Sequence, residues 1–169
     1  MSIVRYLSMA VIFIFCLIAP GTVFYYLSPW GIRPDLMMIF IICFSLYSRV
    51  RPALALAFVT GVLTDLYIGS NLGLYTFTLC CVVLVSIRLQ KGWEKEGRAL
   101  VTGLVFAATF VGQGVMALLA ALSGFGWSLG EGVKMVCGVA VYNALLVLLI
   151  YPWVRRFFWE GRGWKGTRY

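Results

Sequence analysis

Long apolar stretches, separated by short polar segments, make up most of this chain. They predict six helical spans, at residues 4–27, 34–47, 52–68, 72–87, 100–122 and 133–154. A helix needs about 20 predominantly apolar residues to cross the hydrocarbon core of a bilayer, and most of these stretches come close to that length. The second stretch is short and spans only with help from interfacial residues. The pattern therefore predicts an all-α integral membrane protein, folded as a six-transmembrane-helix bundle.

The composition supports this prediction and limits the domain organisation. Of the 169 residues, 62% are hydrophobic and only 12% are charged, against roughly 25% charged residues in a soluble domain. The segments outside the spans are too short for a separate soluble domain, because domains rarely fall below about 50 residues. We expect a transmembrane domain at residues 1–154 and a basic, aromatic cytoplasmic tail at residues 155–169.

The basic residues are distributed unequally between the two sides of the predicted bundle. If the six spans alternate in direction, twelve of the 14 lysines and arginines lie on one side, and only Arg33 and Lys134 lie on the other. Since basic loops stay in the cytoplasm, both termini are predicted to be cytoplasmic. The tail is expected to lie on anionic lipid or to dock a cytoplasmic partner. The net charge of +8 is thereby assigned to cytoplasmic loops rather than to a nucleic-acid site.

Few residues in the chain have the chemistry that catalysis or metal binding needs. Histidine is absent, and the five cysteines all fall inside predicted spans, where thiols act as small hydrophobic groups. No phosphate loop, nucleotide fingerprint or metal-spaced cysteine cluster occurs. We therefore expect no enzyme activity, no cofactor, no metal and no disulfide.

Arg33, Pro34 and Asp35 open the second span. Proline is favoured at the first position of a helix, and a carboxylate in the first turn faces the positive end of the helix dipole. This arrangement is typical of a stable helix start.

Asp65 lies near the end of the third span, where the helix dipole disfavours a negative charge. An aspartate at mid-bilayer costs roughly 2.5–3.5 kcal/mol and less toward the interface, so it needs partners. The start of the fourth span offers free backbone N–H groups beside Gly69, Asn71 and Gly73. Interhelical hydrogen bonds are the preferred interpretation; an unpaired interfacial aspartate and a ligand or proton site are the alternatives.

Small residues recur every four positions along the third span and share a face with Asp65. Ala53, Ala57, Gly61 and Gly69 complete this set, which predicts close packing against another helix rather than against lipid.

Gln113 in the fifth span and Asn143 in the sixth are amide side chains near mid-membrane. We expect both to form hydrogen bonds between helices, which typically contribute about 0.6–2 kcal/mol.

Several of these features occur together in a known family. The chain resembles the bacterial rod-shape-determining membrane protein family MreD in four ordered motifs: Arg33-Pro34-Asp35-Leu36, Gly61-Val62-Leu63-Thr64-Asp65-Leu66, Gly69 with Leu72-Gly73-Leu74, and Tyr142-Asn143. These motifs cover about 45 residues. The third span departs from the family pattern, because alanines stand at 53, 55 and 57 where glycine is expected.

The resemblance implies a non-enzymatic scaffold in the inner membrane, within the machinery of cell elongation and lateral peptidoglycan synthesis. It implies an MreC-like bitopic membrane protein as partner, with MreB, RodA and a class B penicillin-binding protein in the same complex. It also implies a fold similar to the substrate-binding subunits of energy-coupling-factor transporters. In this interpretation Asp35, Asp65 and the turn from Gly69 to Gly73 hold the outer half of the bundle in shape.

Two other functions compete with this interpretation. The first is a vitamin- or small-molecule-binding transporter subunit, with an outer pocket floored by Asp35, Asp65 and Asn71. Such subunits carry an Ala-x-x-x-Ala seam in the first helix, whereas Ala10 and Ala19 have the wrong spacing. The second is an intramembrane enzyme or lipid translocase, for which paired reactive groups are lacking.

Overall fold

The structure, a computed structural model, describes residues 11, 13–16, 31–69, 73–90, 98–122 and 129–159. Regular secondary structure within these ranges is helical throughout. Residues 11 and 13–16 are helical and belong to the first predicted span. Five longer helices follow: α1 (Leu36–Tyr47), α2 (Val50–Ile68), α3 (Leu74–Gln90), α4 (Arg98–Leu122) and α5 (Leu129–Trp159).

The helices α1 to α5 coincide with the second to sixth predicted spans, and their ends differ from the prediction by five residues or fewer. Helix α5 continues through Trp159 and so includes the first residues of the predicted tail. Three described segments are long and apolar enough to cross a membrane: α2, α4 and residues Gly130–Pro152 of α5. The described part of the chain is thus helical, with three segments able to span a membrane by length and composition.

Helix α1 lies in the centre of the bundle. Its 12 residues extend over only about 18 Å, and nine of them are buried on all sides of the helix. It contacts each of α2, α3, α4 and α5. Phe13, from the first predicted span, packs edge-on against Phe40 of α1, with 6.3 Å between the ring centroids. A short helix this deeply buried forms the core of the bundle, whereas its neighbours each expose large apolar side chains.

The other four helices surround α1 in chain order, and each packs against the next. Two contacts show which helix ends lie together. The Gln90 side-chain amide, at the end of α3, donates to the Leu46 carbonyl near the end of α1 at 2.6 Å. The Arg98 guanidinium, at the start of α4, lies over the Tyr151 ring of α5 at 5.9 Å. We call this side of the bundle the basic end, since Arg49, Arg51 and Arg88 also lie at these helix ends.

The outward faces of α2 to α5 are strongly apolar. Large hydrophobic side chains are exposed along each of these helices, among them Phe58, Leu66, Phe77, Leu118 and Leu149. A soluble monomer rarely exposes a continuous apolar surface of this kind, which suits contact with hydrocarbon.

Candidate functional site

Asp65 joins the end of α2 to the start of α3. One carboxylate oxygen, Oδ2, accepts hydrogen bonds from the backbone N–H groups of Gly73 and Thr76, each at 3.0 Å, and from the Thr76 hydroxyl at 2.6 Å. The other, Oδ1, accepts from the Tyr75 N–H at 3.0 Å. Asp65 is only 4% exposed. Its carboxylate therefore caps the first turn of α3 from a neighbouring helix.

This capping supplies hydrogen-bond partners both for the first N–H groups of α3 and for the buried carboxylate. The first N–H groups of a helix have no partner within the helix, and a buried carboxylate is costly unless hydrogen bonds surround it. The positive end of the α3 dipole also faces the negative charge of Asp65. The structure therefore brings Asp65 to the start of the fourth predicted span, where free donors were expected.

Gly61 lies one turn before Asp65, at a point where α2 and α3 approach closely. A Cβ atom at Gly61 would lie 2.3 Å from the Thr76 Cα and 2.9 Å from the Thr76 N. Both are backbone atoms, so a side chain at position 61 would force the two helices apart. Ala53 and Ala57 are also buried, at 1% and 0% exposed. The small residues of α2 thus face the interior of the bundle together with Asp65.

Two glycines shape the connection between α2 and α3. Gly69 ends α2 with φ +69° and donates its N–H to the Asp65 carbonyl at 2.9 Å. Gly73 has φ +98° and donates to the Asp65 carboxylate. Glycine adopts this left-handed region at no steric cost. Asn71, a predicted site residue between them, lies outside the described residues.

Asp35 is the corresponding group at the start of α1. Its side chain accepts a hydrogen bond from the Met38 N–H at 2.9 Å, the geometry of an N-cap. Its backbone N–H donates to the Asn143 Oδ1 of α5 at 2.9 Å. The Gln113 amide of α4 donates to the Asp35 carboxylate at 3.3 Å. Asn143 is fully buried and also lies 3.5 Å from the Thr109 hydroxyl.

The two amide residues and Asp35 are thus brought together, although they are far apart in sequence. This cluster holds the start of α1 between α4 and α5. Of the neighbouring motif residues, Pro34 is buried and Arg33 is exposed.

Tyr75 connects the two aspartates. Its backbone N–H donates to Asp65, and its side chain lies close enough to the Asp35 carboxylate to interact with it. Tyr75 is only 7% exposed. Tyr75 and the capping residue Thr76 were not predicted as site residues, because no pattern in a single apolar stretch shows which side chains face a carboxylate on another helix.

We refer to Asp35, Asp65, Tyr75, Gln113 and Asn143 as the polar layer. Asp65 lies 15 residues beyond the start of α2, about 22 Å along the helix axis. Asp35 precedes the 12 residues of α1, about 18 Å from its other end. The two carboxylates therefore lie at similar distances from the basic end.

The buried side-chain polar atoms of the polar layer have hydrogen-bond partners within the protein. Among buried side-chain oxygens and nitrogens of the described ranges, only the Thr60 hydroxyl lacks a hydrogen-bond partner. Over the same ranges, no group of three or more histidine, cysteine or acidic residues is arranged to hold a metal ion. Cys16, Cys43, Cys80, Cys81 and Cys137 are free thiols. The arrangement can cap, orient and fasten helices.

The fold and the polar layer define a class of protein: a helical membrane protein in which buried and partly buried acidic and amide side chains join helices. The chain matches the family described as rod shape-determining protein MreD over residues 1–160. It therefore belongs to this family of shape-determining membrane proteins, as the sequence motifs indicated. Comparisons with curated proteins and with solved structures gave no match.

Proposed function

We propose that this protein is a non-enzymatic scaffold of the cell-elongation machinery in the bacterial inner membrane. In this proposal it crosses the membrane six times, with both termini in the cytoplasm. It binds an MreC-like bitopic protein and takes part in a complex with MreB, RodA and a class B penicillin-binding protein. Membership of the shape-determining family supports this role.

The observation that best supports the proposal is that hydrogen bonds to α3 occupy the Asp65 carboxylate. Both of its oxygens accept hydrogen bonds from the start of α3. A carboxylate occupied in this way stabilises helix packing. Catalysis of proton transfer would instead require the carboxylate to reach a substrate.

A scaffold also needs a surface on which a partner helix can lie. The exposed apolar faces of α2 to α5 offer such surfaces within the membrane, where helix association depends on close packing rather than on the hydrophobic effect. In our proposal the rigid bundle presents one of these faces to the transmembrane helix of the MreC-like protein. The polar layer fixes the helix positions from which that face is built.

Affinity purification tests the partner. The tagged protein, extracted in a mild detergent, is expected to recover an MreC-like bitopic protein in a fixed ratio. Recovery of a pair of ATPases instead would support the alternative function, a substrate-binding subunit of a vitamin or small-molecule transporter.

Substitution of Asp65 tests the structural role. In Asp65→Ala, the N–H groups of Gly73, Tyr75 and Thr76 lose their acceptor, at a cost of about 1–3 kcal/mol for each buried donor left unpaired. We expect a lower yield of folded protein and of partner complex, measured by size-exclusion chromatography and thermal unfolding in detergent. Glu131→Ala, which removes an exposed carboxylate from α5, is the matched control.

The same variant separates the two functions. If Asp65→Ala assembled normally with its partner but abolished uptake of a solute, the scaffold proposal would be wrong and Asp65 would belong to a ligand site.

A further inference from the structure

The two carboxylates of the polar layer have different kinds of hydrogen-bond partner. At Asp65, Oδ1 accepts from the Tyr75 N–H at 3.0 Å. Its Oδ2 accepts from the N–H groups of Gly73 and Thr76, each at 3.0 Å. A backbone N–H group can donate a hydrogen bond but cannot accept one. A proton on either oxygen of Asp65 would therefore face a donor, so these contacts suit an ionised carboxylate.

Asp35 faces a partner that can reverse its role. Its Oδ1 accepts from the Met38 N–H at 2.9 Å, whereas its Oδ2 lies 3.3 Å from the Gln113 side-chain amide. An amide has a donor end and an acceptor end, and a half turn of the group exchanges them. A proton on Oδ2 can therefore be donated to the Gln113 oxygen, while Oδ1 keeps its bond to Met38.

The charges around the two carboxylates favour such a proton. The Tyr75 side chain lies close enough to both Asp35 and Asp65 to interact electrostatically. Of the 14 lysines and arginines, only Arg33 and Lys134 are predicted to lie on this side, and both are exposed. The buried residues of the described ranges include no lysine or arginine. Nearby negative charges repel each other in a protein interior, and a proton on one of them removes the repulsion.

The other side chains that contact Asp35 bring no charge to it. Helices α4 and α5 contribute the amides of Gln113 and Asn143, which do not titrate. The Cys16 thiol, from the first predicted span, lies near enough to Asp35 to interact with it. Thiols and tyrosine hydroxyls are uncharged at neutral pH. Among these groups, Asp65 is the one that brings a charge.

We propose that Asp35 binds a proton in the folded protein at neutral pH and donates it to Gln113, while Asp65 carries the negative charge of the pair. The proton comes from water and bonds to Oδ2 of Asp35. Its loss turns the Gln113 amide and leaves two negative charges near Tyr75. The attachment of α1 to α4 therefore depends on pH. The proposal does not depend on the scaffold function or on its partners.

The pH dependence of stability tests the proposal on the purified full-length protein. Reversible chemical unfolding in mixed micelles is measured from about pH 5.5 to 7.5, where ordinary carboxylates are ionised. The chain has no histidine to titrate in this range. If Asp35 holds its proton when folded and loses it when unfolded, the folding equilibrium constant falls by up to about tenfold per pH unit as the pH rises. A constant or rising value would overturn the proposal.

Two asparagine variants assign the proton to one carboxylate. Asp35→Asn imitates the protonated acid, because its amide can donate to Gln113 and its oxygen can accept from Met38. It should be about as stable as the unaltered protein at pH 5.5 and should lose the pH dependence. Asp65→Asn places an amide N–H against the N–H of Tyr75 or Gly73, so it should be less stable at every pH.

Glu131→Gln is the matched control, since it neutralises an exposed carboxylate and should keep the pH dependence of the unaltered protein. Infrared spectroscopy at pH 7 gives an independent measurement, because a protonated carboxyl has a C=O absorption that a carboxylate lacks. This absorption is expected in the unaltered protein and in Glu131→Gln, and should be absent from Asp35→Asn. The proposal is wrong if the unaltered protein lacks the absorption, if Asp35→Asn keeps the pH dependence, or if Asp35→Asn is as unstable as Asp65→Asn.

Discussion

Gly61 and Asp65 are one helical turn apart on α2, and both contact the start of α3. Gly61 allows the Thr76 backbone to approach, and this approach lets the Asp65 carboxylate reach the Tyr75 and Thr76 N–H groups. Close packing and capping therefore depend on each other. A loss at either residue should weaken the same helix pair.

Gly61→Ala tests this dependence. The added methyl group would lie 2.3 Å from the Thr76 Cα, so α2 and α3 must separate, and overpacking of this kind typically costs about 1–3 kcal/mol. We expect a lower thermal unfolding midpoint in detergent.

Gly103→Ala is the matched control. A Cβ at this glycine of α4 meets no atom within 4 Å, and alanine favours the helix by up to about 1 kcal/mol. Its midpoint should stay the same or rise. Equal losses in the two variants would contradict the close approach of α2 and α3 at Gly61.

The role of a single residue can be predicted from sequence in some cases and not in others. An aspartate near the end of an apolar stretch is conspicuous, because hydrocarbon penalises its charge and so requires a partner. Its donors are not conspicuous, since they are backbone N–H groups that every residue possesses. Tyr75 illustrates this limit, because its burial between Asp35 and Asp65 depends on how α1, α2 and α3 pack.

Among the helices, α1 differs most from an ordinary span. Its 12 residues are almost entirely apolar, and its uniform hydrophobicity indicates burial on every side rather than one lipid-facing stripe. A helix of this length is more often a buried core element than a lipid-exposed span. The polar layer fixes its start, and the Gln90 contact with the Leu46 carbonyl fixes its end.

Asn143→Ala tests how α1 is held. The change removes the acceptor of the Asp35 N–H, which is bound at 2.9 Å, and leaves a cavity at a fully buried position. A destabilisation of about 1–3 kcal/mol is expected for the unpaired donor, measured by chemical unfolding in mixed micelles.

Gln113→Ala serves as the comparison for Asn143→Ala. Gln113 is partly buried, and its contact with Asp35 is longer, at 3.3 Å. Its loss should therefore cost less. A larger effect at Gln113 than at Asn143 would show that α4, rather than α5, anchors the start of α1.

For the molecule as a whole, the helix lengths are uneven. Helix α3 has 17 residues and α4 has 25, about 25 Å and 37 Å respectively. Since the connected ends of both lie at the basic end, α4 extends further toward the opposite side. The bundle thus joins a short α2–α3 side to a longer α4–α5 side.

The orientation of the molecule follows from its charge and can be measured. Twelve of the 14 lysines and arginines are predicted to face the cytoplasm. A fluorescent protein that folds only in the cytoplasm, fused after Tyr169, should fluoresce. A phosphatase active only outside the cytoplasm should be active when fused after residue 127. The reverse pattern would invert the predicted topology.

The sequence alone determined the membrane setting, the approximate helix bounds, the family and the need of Asp65 for partners. These properties follow from the lengths of the apolar stretches, the distribution of charged residues and the energetic cost of a charge in hydrocarbon. All three can be judged from the sequence without knowing how the helices pack. Only the tertiary structure decided that α1 is central, that Asp35, Gln113 and Asn143 meet, and that Tyr75 joins the two aspartates. Such contacts depend on how each helix is rotated about its axis and on which helices are neighbours. A uniformly apolar sequence does not determine either, because any face of such a helix can be buried.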